Sequence, residues 1–386
     1  MKIPRTIYQK LFKKRSSDNR EKAVSLSTHG SVRGNVLLSY IIDPFLRKEG
    51  EAISHDHTHH WESFQIAQIL LDKGFAVDVI SYENKTFKPL KKYDYFISAR
   101  TNLERIAQSL NEDCIKVAHL DTAHWLYNNQ AAYQRLYALQ QRRGITLKKS
   151  IRIVEPNWAI EFSNLATILG NQFTIDTYSY SKKPIYRIPI SSSSIYPWRA
   201  DKDFEKARFN YIWFGSSGFV HKGLDLVLEA FAQMPEFNLT VCGPFEQEKE
   251  FIRSFQKELY QTSNIRAVGW VDVTSPEFLE ICKDCVGLVY PTCAEGGGGS
   301  AITCMHASII PILSYEASVD IDDTGYILKD CSVSEIKNAV QRLSSLDVEE
   351  LRNLSRSTWE LARRRHTKDI FKREYDKFIT EVLLTK

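Results

Sequence analysis

The sequence predicts two consecutive doubly wound α/β units, and three observations carry that expectation. At 386 residues the chain exceeds what one ordinary core organises. Short, near-continuous apolar runs alternate with amphipathic stretches, as parallel strands covered on both faces by helices require. The alternation breaks once, at "SSSSIYPWRADKDFEKARFN" (191–210), where serines, a proline and charges mark a boundary.

The elements follow in order. Residues 1–33 read as a basic tail. "NVLLSYII" (35–42) reads as a strand and "HWESFQIAQILLDKG" (60–74) as a helix stopping at Gly74. "AVDVISY" (76–82), "YDYFISAR" (93–100) and "IKVAHLD" (115–121) continue the strands, with helical runs near 103–110 and 128–143. "ATILGN" (166–171) and "YRIPIS" (186–191) complete a first domain over 34–195. A second series has strands "NYIWFGS" (210–216), "NLTVCGP" (238–244), "IRAVGWV" (265–271), "VGLVYPT" (286–292) and "IIPILSY" (309–315). Helices near 221–234, 248–261, 275–285 and 300–308 separate them. The second domain is expected over 196–366, with a terminal helix over 367–386 and a ligand cleft between the domains.

Composition narrows the function. Hydrophobic content of 43% with 25% charged residues is that of a soluble globular protein. No apolar run approaches the roughly 18 residues of a membrane span, and the first residues lack an apolar signal core, so the expected location is the cytoplasm. Seven cysteines, an odd number, suit a reducing compartment. Cys282 and Cys285 form C-x-x-C without a partner motif at zinc spacing, and read as two thiols ending a helix. Residues 1–22 hold eight Lys or Arg and two acids, a net +6, which leaves −2 for the rest of a chain at +4. That distribution argues against a general nucleic-acid binder. Ile3, Ile7, Tyr8, Leu11 and Phe12 recur at helical spacing among those cations. A helix on an anionic membrane surface and a solvated, disordered tail are both open readings.

The glycine run "CAEGGGGSAITCMHAS" (293–308) invites either a flexible linker or a loop whose amides close on a ligand. It stands after the strand "VGLVYPT" and before a helix opening at Ser300. Strand, glycine turn and helix N-terminus together form an anion site, so ligand binding by Gly296, Gly297, Gly298, Gly299 and Ser300 is the favoured reading. No Lys follows the glycines, which excludes a P-loop. On this reading Gly298→Val blocks a ligand without disturbing the core.

With these residues in view, "YPTCAEGGGGSAITCMHASIIPILS" resembles the donor-site segment of retaining glycosyltransferases of the GT-B fold, family 4, the glycosyl transferases group 1. The family's first Glu matches Glu295. Its second Glu, eight positions on, which holds the ribose hydroxyls, falls on Thr303. "YIWFGSSGFVHKGLDLVLEAF" (211–231) resembles the first strand and helix of the family's nucleotide domain. The diphosphate-neutralising Lys matches Lys222 in "HKGLD", next to His221, and the Arg often found after the strand falls on Ser216 or Ser217. A Lys beneath a diphosphate, with N–H groups from Gly215 to Gly218, is a coherent leaving-group stabiliser. "AVGWVDVTSPEFLEIC" is similar to the segment whose backbone, near Trp270 and Val271, meets the base. A family histidine that touches the donor sugar falls on His119 or His124 of "KVAHLDTAHW". The likeness covers about residues 205–386 well and the first half by topology.

The resemblance implies a GT-B architecture: two Rossmann-like doubly wound domains face a central cleft, and the C-terminal helix crosses back to the first. It implies transfer of a sugar, with retention and without metal, from a UDP- or GDP-linked donor to a hydroxyl of a glycan or glycolipid. Lys222 and the loop amides would stabilise the departing diphosphate, and Glu295 would contact the sugar. No cofactor beyond this nucleotide-sugar co-substrate is expected, and family habit suggests polysaccharide assembly at the inner membrane face. A non-catalytic sugar-nucleotide or glycan-binding relative, and a GT-B epimerase, stay open. "SHDHTHHWE" (54–62) and "DIDD" (320–323) are read as loops, not metal sites.

Overall fold

The computed structural model describes residues 17–28, 30–48 and 50–385. The tail helix expected over Ile3 to Phe12 lies outside the described residues. Contacts between Cα atoms gather into two compact units: the chain up to His119 with Asn157–Ala166, and Leu120–Pro156 with the chain from Thr167 onward. The second unit thus takes in stretches that the sequence assigns to the 34–195 domain.

In the first unit the strands lie in the order β1 (Ala23–Leu26), β3 (Phe75–Ser81), β2 (Gly34–Tyr40), β4 (Tyr95–Ala99) and β5 (Ile115–Leu120). All pairings are parallel except that of β1, whose Ala23 faces Ile80 of β3 in antiparallel register. Consecutive residues Val36, Leu37 and Leu38 of β2 are all buried, so both faces of the sheet are covered. Strand β1 corrects the expected tail: part of 1–33 is an edge strand. Helix α1 (Thr58–Asp72) corrects the histidine-rich loop. His57 caps it, its Nδ1 accepting from the His59 amide at 3.2 Å, while His59 and His60 stand in its first turn. His59 packs at 5.4 Å on the Tyr40 ring. Among the described residues no group of three or more His, Cys, Asp or Glu is placed to hold a metal ion.

In the second unit six parallel strands lie in the order β10 (Ile265–Gly269), β9 (Asn238–Cys242), β8 (Asn210–Phe214), β11 (Gly287–Tyr290), β12 (Ile310–Ser314) and β13 (Tyr326–Leu328). Counted along the chain this is 3-2-1-4-5-6, whose strand order reverses between β8 and β11. Ligands of such sheets bind outside the carboxyl ends of the strands at that reversal. Strand β13 is absent from the sequence expectation. Helix α2 (Trp125–Arg143) is tied within this unit by Arg142 to buried Asp225 at 2.6 Å and by Arg143 to Glu258 at 2.8 Å. The chain closes with α7 (Val333–Ser345), α8 (Val348–Arg365) and α9 (Lys368–Phe378), after α3 (Leu224–Phe231), α4 (Lys249–Ser254), α5 (Pro276–Asp284) and α6 (Gly299–His306). Asp347 and Glu350 form a capping box on α8. Phe378 of α9 packs at 5.5 Å on Tyr186 of β7 (Ile185–Arg187), which like the end of β6 (Leu165–Ile168) lies in this unit.

All seven cysteines are buried and free. Cys282 and Cys285 stand at the end of α5, where burial pushes the Cys285 thiol up to about 12. Asp320 and Asp322 of "DIDD" are paired with Arg187 and Arg365. Between α6 and α8, His306 Nε2 donates to the His366 carbonyl at 2.8 Å, and His366 Nδ1 donates to the Ile190 carbonyl at 3.2 Å. Burial holds both imidazoles neutral, lowered to about 4. An unfolded chain takes up those protons near 6.5. Stability is therefore full above pH 6.5 and falls as the pH drops toward 4, by about 1.4 kcal/mol per histidine for each unit. Urea unfolding at pH 7, 5.5 and 4.5 should show this slope, and His366→Gln should flatten it. An equal slope in the variant would refute the assignment.

Candidate functional site

The loops that follow β8 and β11 meet at the sheet's reversal, and backbone bonds lace them together. The Cys293 amide donates to the His221 carbonyl at 2.9 Å. A β-carbon on Gly223 (φ +70°) would come within 2.5 Å of the Pro291 carbonyl, so glycine permits this close approach. The His221 ring bonds the Ala294 carbonyl through Nε2 at 2.7 Å and meets Cys293 Sγ at Nδ1, 3.4 Å away. Burial lowers this imidazole to about 4. His221 is thus neutral, its Nε2–H donates, and its role is to hold the two loops.

This lacing sets Lys222 against Glu295. Only 2% of Lys222 is exposed. Its ammonium pairs with Glu295 Oε1 and donates to Tyr290 Oη at 2.8 Å. The same carboxylate oxygen accepts from Tyr290 Oη at 2.8 Å and from Thr292 Oγ1 at 3.3 Å. Gly215 makes room for the lysine stem: a β-carbon there would stand 3.2 Å from Lys222 Cδ and 2.8 Å from the Trp213 ring. Burial alone would raise the Glu295 carboxyl, but Lys222 and Arg152 hold it at about 2. A charged pair so far out of water persists only when paired and hydrogen-bonded. Lys222 is therefore no solvated helix lysine.

The two loops differ in their amides. Among the described residues no acceptor meets the N–H groups of Gly296, Gly297, Gly298, Gly299, Ser300 or Ala301. These open donors precede or begin α6, where the helix dipole favours an anion. In the loop after β8 the amides are largely taken. Gly215 donates to the Cys242 carbonyl, Gly218 to Glu248 Oε1 at 2.5 Å, and Val220 and His221 both to the Ser150 carbonyl. Within the expected amide row from Gly215 to Gly218, the two glycine amides are therefore already occupied; Ser216 is exposed and Ser217 half-buried.

The four glycines are not equivalent. A β-carbon on Gly296 would overlap the Asp121 carbonyl, and one on Gly297 (φ +154°) would stand 3.3 Å from Ile190. At Gly298 (φ +51°) it would lie 2.5 Å from the Ala317 carbonyl and overlap Val319. Only Gly299 faces open space. The expectation that Gly298→Val spares the core is thus overturned. Helix α6 also begins at Gly299, with Gly298 as its cap, rather than at Ser300.

Thr303, one turn into α6, commits its hydroxyl to the Gly299 carbonyl at 2.8 Å. Beyond β10, Trp270 is exposed and Val271 buried. His124 caps α2, its Nδ1 accepting from the Leu126 amide at 3.3 Å and its Nε2 meeting Tyr180 Oη at 3.1 Å. His119 lies in the first unit, buried, with its ring 5.0 Å from Tyr40. Three residues of the cluster escape sequence reasoning: Tyr290, Thr292 and Arg152. The first two are the polar end of an otherwise apolar strand. Arg152, whose Nη1 stands 3.5 Å from Glu295 Oε2, carries no local signal.

Residues 199–359 match a family model described as "Glycosyl transferases group 1". A sucrose-phosphate synthase from Thermosynechococcus elongatus is similar in structure, with TM-score 0.63 at 15% identity, over 91% of this chain and 99% of that one. HepE of Anabaena, in complex with UDP and glucose, gives TM-score 0.57 at 12% identity, over 92% of this chain and 100% of that one. A glycosyltransferase from Rickettsia africae gives TM-score 0.59 at 10% identity, over 93% and 100%. These likenesses show a shared fold, the two-domain GT-B architecture. No curated protein matches the sequence.

Proposed function

We propose, from the premise that residues 199–359 are a glycosyl transferases group 1 domain, that the chain transfers a sugar from a nucleoside-diphosphate sugar to a hydroxyl acceptor. The observation that carries this reading is the buried Lys222–Glu295 pair beside the open amides of the glycine loop. Lys222 meets the diphosphate, the amides of Gly297 to Ser300 add dipoles, and the departing charge is met by groups already in place. Glu295, ionised and anchored through Oε1 by Tyr290 and Thr292, offers the sugar hydroxyls its second oxygen, which Arg152 faces at 3.5 Å. The acceptor hydroxyl, of a glycan or glycolipid, attacks from the leaving-group face with retention. HepE, with UDP and glucose bound, supports a UDP-linked donor as the first to try.

The test is a panel of UDP- and GDP-sugars, each scored by mass spectrometry for released nucleoside diphosphate. A transferase releases it, a binding relative does not, and an epimerase alters the sugar without release. Turnover is expected to survive EDTA, because protein cations face the leaving group in this scheme. Loss with EDTA that manganese or magnesium restores would move the chemistry elsewhere.

A further inference from the structure

Resting on that reading, we infer that Arg152 is a second ligand of the donor diphosphate, beside Lys222. Lys222 is already neutralised by Glu295, and the loop after β8 holds a further carboxylate, buried Glu248, on the Gly218 amide. Without Arg152, these three groups sum to −1, an unfavourable place for a diphosphate. The Gly215, Gly218, Val220 and His221 amides of that loop are occupied, so their dipoles do not offset the deficit.

Arg152 is placed to do so. Its stem lies across Gly218, where a β-carbon would stand 2.8 Å from Arg152 Cγ. Its head reaches the other loop, 3.5 Å from Glu295 Oε2. That ion pair is loose. Among the described residues the guanidinium donates no hydrogen bond, and 42% of the side chain is exposed. Its backbone, by contrast, is fixed. The Arg152 carbonyl accepts from Asn128 Nδ2 at 2.8 Å, and Val154 exchanges two bonds of 2.9 Å with Asn129. The Ser150 carbonyl is held by the Val220 and His221 amides. A pinned backbone with a loosely paired, forked cationic head spanning two ligand loops is preorganised for bidentate contact with phosphate oxygens.

The experiment is calorimetry with UDP, GDP, uridine and guanosine on the full chain and its Arg152→Ala, Arg152→Lys and Lys149→Ala variants. In the chain as it stands, UDP or GDP is expected to bind more tightly than its nucleoside. Arg152→Ala should weaken the diphosphate about 10- to 100-fold and leave the nucleoside unchanged, the loss expected of one charged hydrogen-bonding group. Arg152→Lys should recover part of it. Lys149→Ala, which removes an exposed cation nearby, should change affinity less than about twofold. Unaltered UDP and GDP affinity in a folded Arg152→Ala protein overturns the inference alone. Failure of the parent chain to bind either diphosphate overturns both this inference and the nucleotide-sugar reading. An equal loss in Lys149→Ala reduces Arg152 to general surface charge and also overturns it.

Discussion

Lys222→Ala is expected to cut turnover by about 10²- to 10³-fold, as removal of one preorganised group facing developing charge does. It should also destabilise the fold. The lysine is the closest cation to a buried carboxylate, and breaking a buried pair by removing one partner costs about 3–5 kcal/mol. Arg152, 3.5 Å from the other carboxylate oxygen, places the expected loss near the lower end. The two effects can be separated. The double variant Lys222→Met with Glu295→Gln removes both charges, so most of the stability should return while turnover does not. Urea unfolding and initial rates on the same preparations check this. A Lys222→Ala protein that turns over like the parent would remove Lys222 from the mechanism, whatever its stability.

The second large effect separates two neighbouring glycines. Gly298→Val places a β-branched residue at φ +51°, a conformation costing about 1–3 kcal/mol, and drives its β-carbon into the Ala317 carbonyl and Val319. We expect an unfolding midpoint well below the parent's, or no soluble protein. Gly299→Val meets open space. It should keep the unfolding free energy within about 0.5 kcal/mol of the parent's, the usual range of surface changes. Donor affinity should nonetheless fall more than about tenfold as the side chain fills the space before the amides. Calorimetry with the released nucleoside diphosphate reads the second effect. Normal affinity in Gly299→Val would leave the glycine run a linker.

The doubly wound pattern is legible because its strands are buried on both faces and need no partner to declare themselves. "NVLLSYII" and "VGLVYPT" read as strands whatever surrounds them. Strand β1 is not legible, since four residues alternating in exposure leave no apolar run. Strand β13 is apolar, Tyr-Ile-Leu, but at three residues it is too short to stand out from a loop. Lys222 and Glu295 come from motif resemblance, and their mutual burial is a tertiary fact. Arg152 is out of reach because it joins the cluster only when the segment after α2 folds over Gly218. The glycine run announces special backbone, yet which glycine faces open space depends on Asp121, Ile190 and Ala317, all remote in sequence. Likewise, the amides after β8 read as open until Ser150 and Glu248 are seen to occupy them.

The lacing of the two loops bears on how recognition is timed. The Cys293 amide, the His221 ring and the tight passage of Gly223 past Pro291 fasten segments that belong to different strands. Fastened loops have no ordering entropy left to lose when a nucleotide arrives. Encounter then presents a finished surface, and capture is governed by diffusion and charge rather than by waiting for a rare conformer. Deuterium uptake at Cys293 would accordingly be slow in the empty protein and little changed by nucleotide, with the response to binding concentrated at the amides of Gly297 to Ser300.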